Sequence, residues 1–191
     1  MAEARGFRGD LERWSGELGR LLSDLGDHEA AEAHLLEALD LAAETGSRQG
    51  EAMWRAELGA HLLSTGALER AGKELNRALA IAREIGARRC EALVQIHLGA
   101  LALEENYDSV DEALERVRAG LEIASDIQSG ALETVGLLYL ARVCRAQADR
   151  RRAREVLDQA RRVARGTHDA RLLRRVQAEL RALDDERAQN R

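Results

Sequence analysis

Five histidines, two cysteines and several adjacent carboxylates are the side chains in this 191-residue sequence with the most chemical potential. The histidines are His28, His34, His61, His97 and His168. None forms an HExxH pair, and Cys90 and Cys144 stand far apart with no Cys-x-x-Cys spacing. A protein-bound zinc needs three or four such ligands brought together, so no metal site is expected. The glycines form no GxSxG elbow, Walker loop or GxGxxG fingerprint, so nothing cradles a phosphate or exposes a nucleophile. The carboxylate pairs Glu104-Glu105 and Asp111-Glu112 fall at helix ends or on solvated faces. The reading is therefore of a protein without catalytic residues, metal or cofactor. His97 falls on a presumed groove face, where an imidazole titrates near neutrality; the plainer reading is an ordinary polar groove residue.

The elements that would position these side chains are helices. The chain is 45% hydrophobic and 33% charged, has no proline, and contains only Phe7, Trp14, Trp54, Tyr107 and Tyr139 as aromatics. Heavy use of Ala, Leu, Glu and Arg without proline predicts an all-helical fold. The N-terminal "MAEARGF" has no basic flank followed by an apolar run, so no signal peptide is expected. No stretch reaches the roughly 20 apolar residues that cross a bilayer. The two cysteines read as buried free thiols in a reducing compartment. A cytoplasmic protein without a membrane partner is expected.

The chain repeats itself. Leu18-Gly19 returns as Leu58-Gly59 and Leu98-Gly99, forty residues apart each time, and then as Leu140-Ala141 after a two-residue insertion in "NYDSVDEA". Ala31, Leu35 and Ala38 return as Ala71, Leu75 and Ala78, then as Ala113, Val117 and Gly120, then as Ala153, Leu157 and Ala160. A period of this length marks a stack of identical supersecondary units. Four units are read, over about 10–46, 48–86, 88–127 and 130–166, within a single domain of 1–191. Each holds two helices: first helices near 10–25, 48–65, 88–105 and 130–147, and second helices near 28–45, 68–85, 109–127 and 150–165. A ninth helix near 169–184 carries Leu172, Leu173, Val176, Leu180 and Leu183 as one stripe that caps the last unit, before a polar tail at 185–191. Gly26, Gly66 and Asn106 suit the left-handed turn that closes a first helix. The fourth turn has no such residue and relies on Asp149 as an N-cap. Gly19, Gly59 and Gly99 are expected to face Ala31, Ala71 and Ala113, so that helix backbones approach closely.

This pattern resembles the tetratricopeptide repeat, which carries Leu-Gly in its first helix and Ala-x-x-x-Phe-x-x-Ala in its second. "ALAIAREIGARRCEALVQIHLG" (78–99) is similar to the forty-residue variety of Pins/LGN adaptors and many bacterial regulators. The sequence departs from the usual pattern in placing Trp14 and Trp54 four residues before the Leu, and in lacking the proline that ends each unit. The resemblance implies a right-handed superhelical solenoid of antiparallel helix pairs. It also implies that the first helices line a concave groove that binds a peptide or an amphipathic helix.

Projecting the first helices places Arg13, Glu17 and Arg20 on that wall in the first unit. The second contributes Met53, Ala56, Glu57, Ala60 and Leu63, and the third Leu93, Ile96, His97, Ala100 and Leu103. The fourth contributes Val135, Leu138, Tyr139, Arg142 and Arg145. Met53, Leu63, Ile96 and Leu103 are expected to contribute most. The predicted function is a non-catalytic protein–protein interaction module, an adaptor or scaffold. The alternative is a sensor or regulatory segment of a larger bacterial signalling protein, gating an ATPase, kinase or transcription regulator. Residues 1–141 hold 14 basic and 26 acidic side chains, whereas 142–191 hold 15 and 8. The basic end raises nucleic-acid binding as a third, weaker reading, because no aromatics interleave with the arginines for base stacking. Phe7, Leu11 and Trp14 have no cap before them. A longer chain, a second copy forming a homodimer through this end, or the chain's own first turns would each cover them.

Overall fold

The structure, a computed structural model, describes residues 2–105 and 109–189. Among them the chain forms α1 (Ala2–Leu25), α2 (His28–Thr45), α3 (Arg48–Ser64), α4 (Leu68–Glu84), α5 (Arg88–Glu105), α6 (Val110–Asp126), α7 (Gly130–Ala146), α8 (Arg150–Gly166) and α9 (Ala170–Gln189), and no strand. Interior helix bounds agree with the sequence reading to about one residue, which is the usual uncertainty of a frayed end. The outer ends differ. α1 begins at Ala2 rather than near 10, and the segment read as a polar tail continues α9 to Gln189. Asn106 and Tyr107 lie outside the described residues, and with them the closure expected at Asn106.

The helix ends follow from local chemistry. Asp27, Ser47, Ser129 and Asp149 accept backbone N–H bonds at the starts of α2, α3, α7 and α8, as N-caps do. Asp169 does the same for α9, taking the N–H groups of Arg171 at 2.9 Å and Leu172 at 3.1 Å. In the first half of the chain the closing residue is glycine, as at Gly66 with φ +79°. In the second half Gln128, Ala148 and His168 take that left-handed conformation, at φ 52°, 58° and 57°. The fourth turn therefore has a left-handed closure after all, made by Ala148 beside the Asp149 cap. Ala148 N–H donates to Arg145 O and Asp149 N–H to Cys144 O, both at 2.9 Å. Two carbonyls of the last turn gained partners in this way, which holds the alanine in a conformation that disfavours a Cβ.

The chain divides into two compact units, Met1–His97 and Leu98–Arg191, with the division inside α5. In the first unit α1 packs on α2, α2 on α3, and α3 on α4. Its core is built from the repeating positions: Ala31, Leu35, Ala38, Leu58, Ala71, Leu75 and Ala78 are all buried. In the second unit α6 packs on α7, α7 on α8, and α8 on α9. There Leu137, Ala141, Leu157, Ala160, Val176 and Leu180 form the core.

The glycine notches close more than one contact. A Cβ on Gly99 would stand 2.9 Å from Ala113 O and 2.6 Å from Val117 Cγ2. Gly19 and Gly59 likewise meet the carbonyls of Ala31 and Ala71, and the side chains of Leu35 and Leu75. The partner is thus the backbone of the expected alanine together with the branched side chain one turn later.

Candidate interaction surfaces

In the first unit the residues read as wall lie on α1, α3 and the N-terminal part of α5. Arg20 bonds Glu17 at 2.6 Å, and this bond chiefly raises its guanidinium pKa. Burial opposes the rise, while the charges of Glu57 and Asp24 add to it. Four charged side chains from two adjacent first helices therefore share one electrostatic neighbourhood. Arg13 and Glu17 are exposed, as is Met53; Glu57, Ala60, Leu63 and Leu93 are half-buried.

Six residues read as wall are covered instead. Ala56, Ile96, His97, Ala100, Leu138 and Tyr139 are buried. α5 explains three of them, because every described residue from Val94 to Ala102 is buried. A helix apolar on all sides belongs inside a fold, and its innermost face has no free surface to offer. Ile96, expected to be a main contributor, is fully buried.

In the second unit Leu103, Arg142 and Arg145 come together. They line a groove of about 480 Å³ with Glu104, Val110, Ala146, Ala148, Arg150 and Glu186. Arg142 bonds Glu104 at 2.8 Å, Arg145 reaches Glu179 at 3.3 Å and also bonds Glu186, and Arg150 lies 3.5 Å from Glu186. Tyr139 sits beneath this rim. Arg142 and Arg175 lie over its ring, 5.5 and 5.7 Å from the centroid. A buried phenol thus orients two guanidiniums through their attraction to its face. Val135 stands half-buried on the same helix.

The basic C-terminal segment is laced with carboxylates. Arg151 and Arg152 approach Glu155 at 3.9 and 3.5 Å, Arg161 meets Asp158 at 3.0 Å, and Arg154 bonds Asp184. Alternating signs along these faces weaken the continuous positive field that a phosphate backbone requires.

Two clusters escaped sequence reasoning because their members lie far apart in the chain. Ser15 Oγ lies 2.6 Å from Glu37 Oε2, 3.0 Å from His34 O and 3.2 Å from His34 Nδ1. Glu37 approaches that same Nδ1 at 3.2 Å. A nucleophile relay needs the acid on the far nitrogen of the ring, so this arrangement ties α1 to α2 and activates nothing. The Ser15 bond, followed by that of His34, lowers the Glu37 pKa. The second cluster sets His28 and His61 side by side, with ring centroids 5.6 Å apart, and places Ser23 Oγ 2.9 Å from His61 Nδ1. Among the described residues no group of three or more His, Cys, Asp or Glu could hold a metal ion. Among the described residues no helix is long and apolar enough to cross a membrane.

Residues 16–45 match the family model described as tetratricopeptide repeat. No curated protein matches significantly. Solved structures do: BtubC from P. vanneervenii has a TM-score of 0.62 at 21% identity, over 83% of this chain and 65% of that one. The nearly identical TPR-like repeats of a Podospora anserina protein described as a kinesin light chain score 0.63 at 20% identity, over 95% and 88%. Pseudomonas aeruginosa PilF scores 0.60 at 20% identity, over 92% and 71%. The fold is tetratricopeptide-like. At these identities the likeness concerns the arrangement of helix pairs, and this chain spans less than two thirds of BtubC's length. In tetratricopeptide-like terms, α1 and α2 form the first repeat, and it is this repeat that the family model covers.

Proposed function

We propose that the chain is a non-catalytic interaction module that holds a peptide or an amphipathic helix against its first helices. The observation that carries this reading is the groove of the second unit. Leu103, Val110 and Ala146 offer apolar surface there, while Arg142, Arg145, Glu104 and Glu186 supply charges of both signs around it. An apolar centre within a polar rim is how protein interfaces are commonly built, and an amphipathic helix presents the matching pattern. Met53, Leu63 and Leu93 offer a similar apolar surface in the first unit, beside the Arg20, Glu17 and Glu57 charges. In this reading the module works in the cytoplasm as an adaptor, like the Pins/LGN and bacterial-regulator varieties it resembles, either alone or as the regulatory segment of a signalling protein.

Affinity capture from native lysate tests it, comparing the wild type with a Leu63→Glu/Leu103→Glu pair. Both side chains are half-buried rather than core, so the variant should fold. Selective loss of one protein from the variant supports the groove. Equal recovery of the same proteins by two equally folded versions defeats it.

A further inference from the structure

α9 is attached in two ways, and they change over at Leu183. Up to that residue an apolar stripe seats it: Val176, Leu180 and Leu183 are buried in one core with residues of α7 and α8. Beyond it Asp184 and Asp185 are exposed and Glu186 is half-buried. Charge ties this last stretch to its neighbours, because Asp184 bonds Arg154 while Glu186 reaches Arg145 and Arg150. Ion pairs that open to solvent add little to stability. The end of α9 is therefore released at small cost while the stripe stays in place.

Glu186 lies in the groove of the second unit, beside Leu103, Val110 and Ala146. Its two carboxylate oxygens divide between two helices. Oε1 accepts a bond from Arg145 of α7, and Oε2 lies 3.5 Å from Arg150 of α8. Two guanidiniums converging on one carboxylate make a charge-assisted seat for an anionic oxygen pair. Glu179, two turns earlier on α9, lies 3.3 Å from the other terminal nitrogen of Arg145. Being followed by buried Leu180 and Leu183, it keeps Arg145 oriented whether or not Glu186 is present.

We infer that the end of α9 is a built-in competitor for the groove, in which Glu186 holds the seat that a carboxylate of the partner takes over on binding. The inference rests on the groove reading above and adds the partner's chemistry and its regulation: an amphipathic helix with acidic side chains beside its apolar face. Charge selects such a helix over a basic one. Without Glu186 the lining presents Arg142, Arg145 and Arg150 against Glu104, which already bonds Arg142. A lysine brought to the vacated seat would meet two guanidiniums, and like charges at an interface exclude the wrong partner. Because Glu186 is on the same chain, it competes at a high effective concentration that does not depend on the amount of protein. The apparent affinity is lowered by the fraction of molecules whose seat is closed.

Fluorescence anisotropy on the full chain tests this. The probe is a labelled synthetic amphipathic helix of Leu, Ala and Glu, compared with its counterpart carrying Lys for every Glu. The acidic probe should bind the wild type and the basic one should not. Glu186→Gln should bind the acidic probe about three- to tenfold tighter, as expected when one or two exposed ion pairs no longer compete. Glu155→Gln makes the same change of charge outside the groove, where Glu155 meets Arg151 and Arg152, and should match the wild type. An Arg145→Gln/Arg150→Gln pair should lose the acidic probe with circular dichroism and melting close to the wild type. Hydrogen exchange gives a second readout: amides of α9 beyond Leu183 should exchange faster with the acidic probe bound, and those around Val176 should not. Equal or weaker binding by Glu186→Gln overturns the competitor and leaves the groove reading standing, as does unchanged exchange beyond Leu183. Preference for the basic probe overturns the acidic partner. If neither probe binds either chain the inference falls, and the groove reading is decided separately by the Leu63→Glu/Leu103→Glu capture.

Discussion

Trp54 donates its indole N–H to Glu12 Oε1 at 3.0 Å, and its ring fills the slot that Gly16 leaves on α1. Trp14 occupies the same repeat position and is exposed. The difference is one of neighbours, because Trp54 has a preceding first helix to receive it. Trp54→Ala should therefore lose about 3–5 kcal/mol, through the emptied slot and the buried carboxylate left without its donor. Trp14→Ala should stay within about 0.5 kcal/mol. Urea denaturation of the two variants checks the contrast.

Gly99→Ala should destabilise the fold despite a better helix former. The new methyl meets Ala113 O, a backbone atom that cannot rotate away, and Val117 Cγ2. Overpacking of this kind costs about 1–3 kcal/mol, against roughly 1 kcal/mol of helix propensity gained. A lower urea midpoint is expected. A raised midpoint would show that the helix pair relaxes without loss.

Ala148→Gly should raise stability by up to about 1 kcal/mol. The left-handed strain at φ 58° disappears, and the added backbone entropy of glycine offsets part of the gain. Gly66→Ala, at φ +79°, should cost about 1 kcal/mol by the same reasoning in reverse. Thermal melts of the two variants should shift in opposite directions.

His61 should make stability fall as the solution is acidified. Burial, reinforced by the His28 charge and by Arg70, holds its pKa below the usual 6.5, while Glu32 and a backbone bond oppose the shift. The unfolded chain therefore takes up its proton at a higher pH than the native chain. The contribution is complete above pH 6.5 and is lost as pH falls through the native value. Denaturation of wild type and His61→Gln between pH 7.5 and about 5 should give a difference that narrows on acidification. A constant difference would contradict the assignment.

Cys90 should resist thiol reagents at neutral pH. Burial, with the Glu57 charge adding to it, raises its pKa to about 11. Burial likewise raises that of Cys144. Mass spectrometry after brief alkylation should find both thiols unmodified in the native protein and modified in urea.

The repeat made the helices legible because each bound is set locally, by a cap such as Asp149 or a closing glycine such as Gly66. The notches were legible in position, although sequence spacing did not show that Leu35, Leu75 and Val117 fill them. The wall was harder to read. A helical projection assigns Ile96 and Leu103 to one face, yet it says nothing of how far neighbouring helices wrap α5, and Ile96 is buried while Leu103 reaches a groove. Contacts such as Ser15 with Glu37, or His28 with His61, depend on rotations between helices that no periodicity records. The left-handed Ala148 was hidden for another reason: alanine gives no signal for that conformation, and hydrogen bonds to the preceding turn hold it there.

Site-specific photo-crosslinking in the native cell tests the interaction reading most directly. A photoreactive residue at Leu103 should capture one defined protein, and the same residue at exposed Gln159 on α8 should not. Identical products from both positions, or capture at neither, would contradict a module that binds its partner along the first helices.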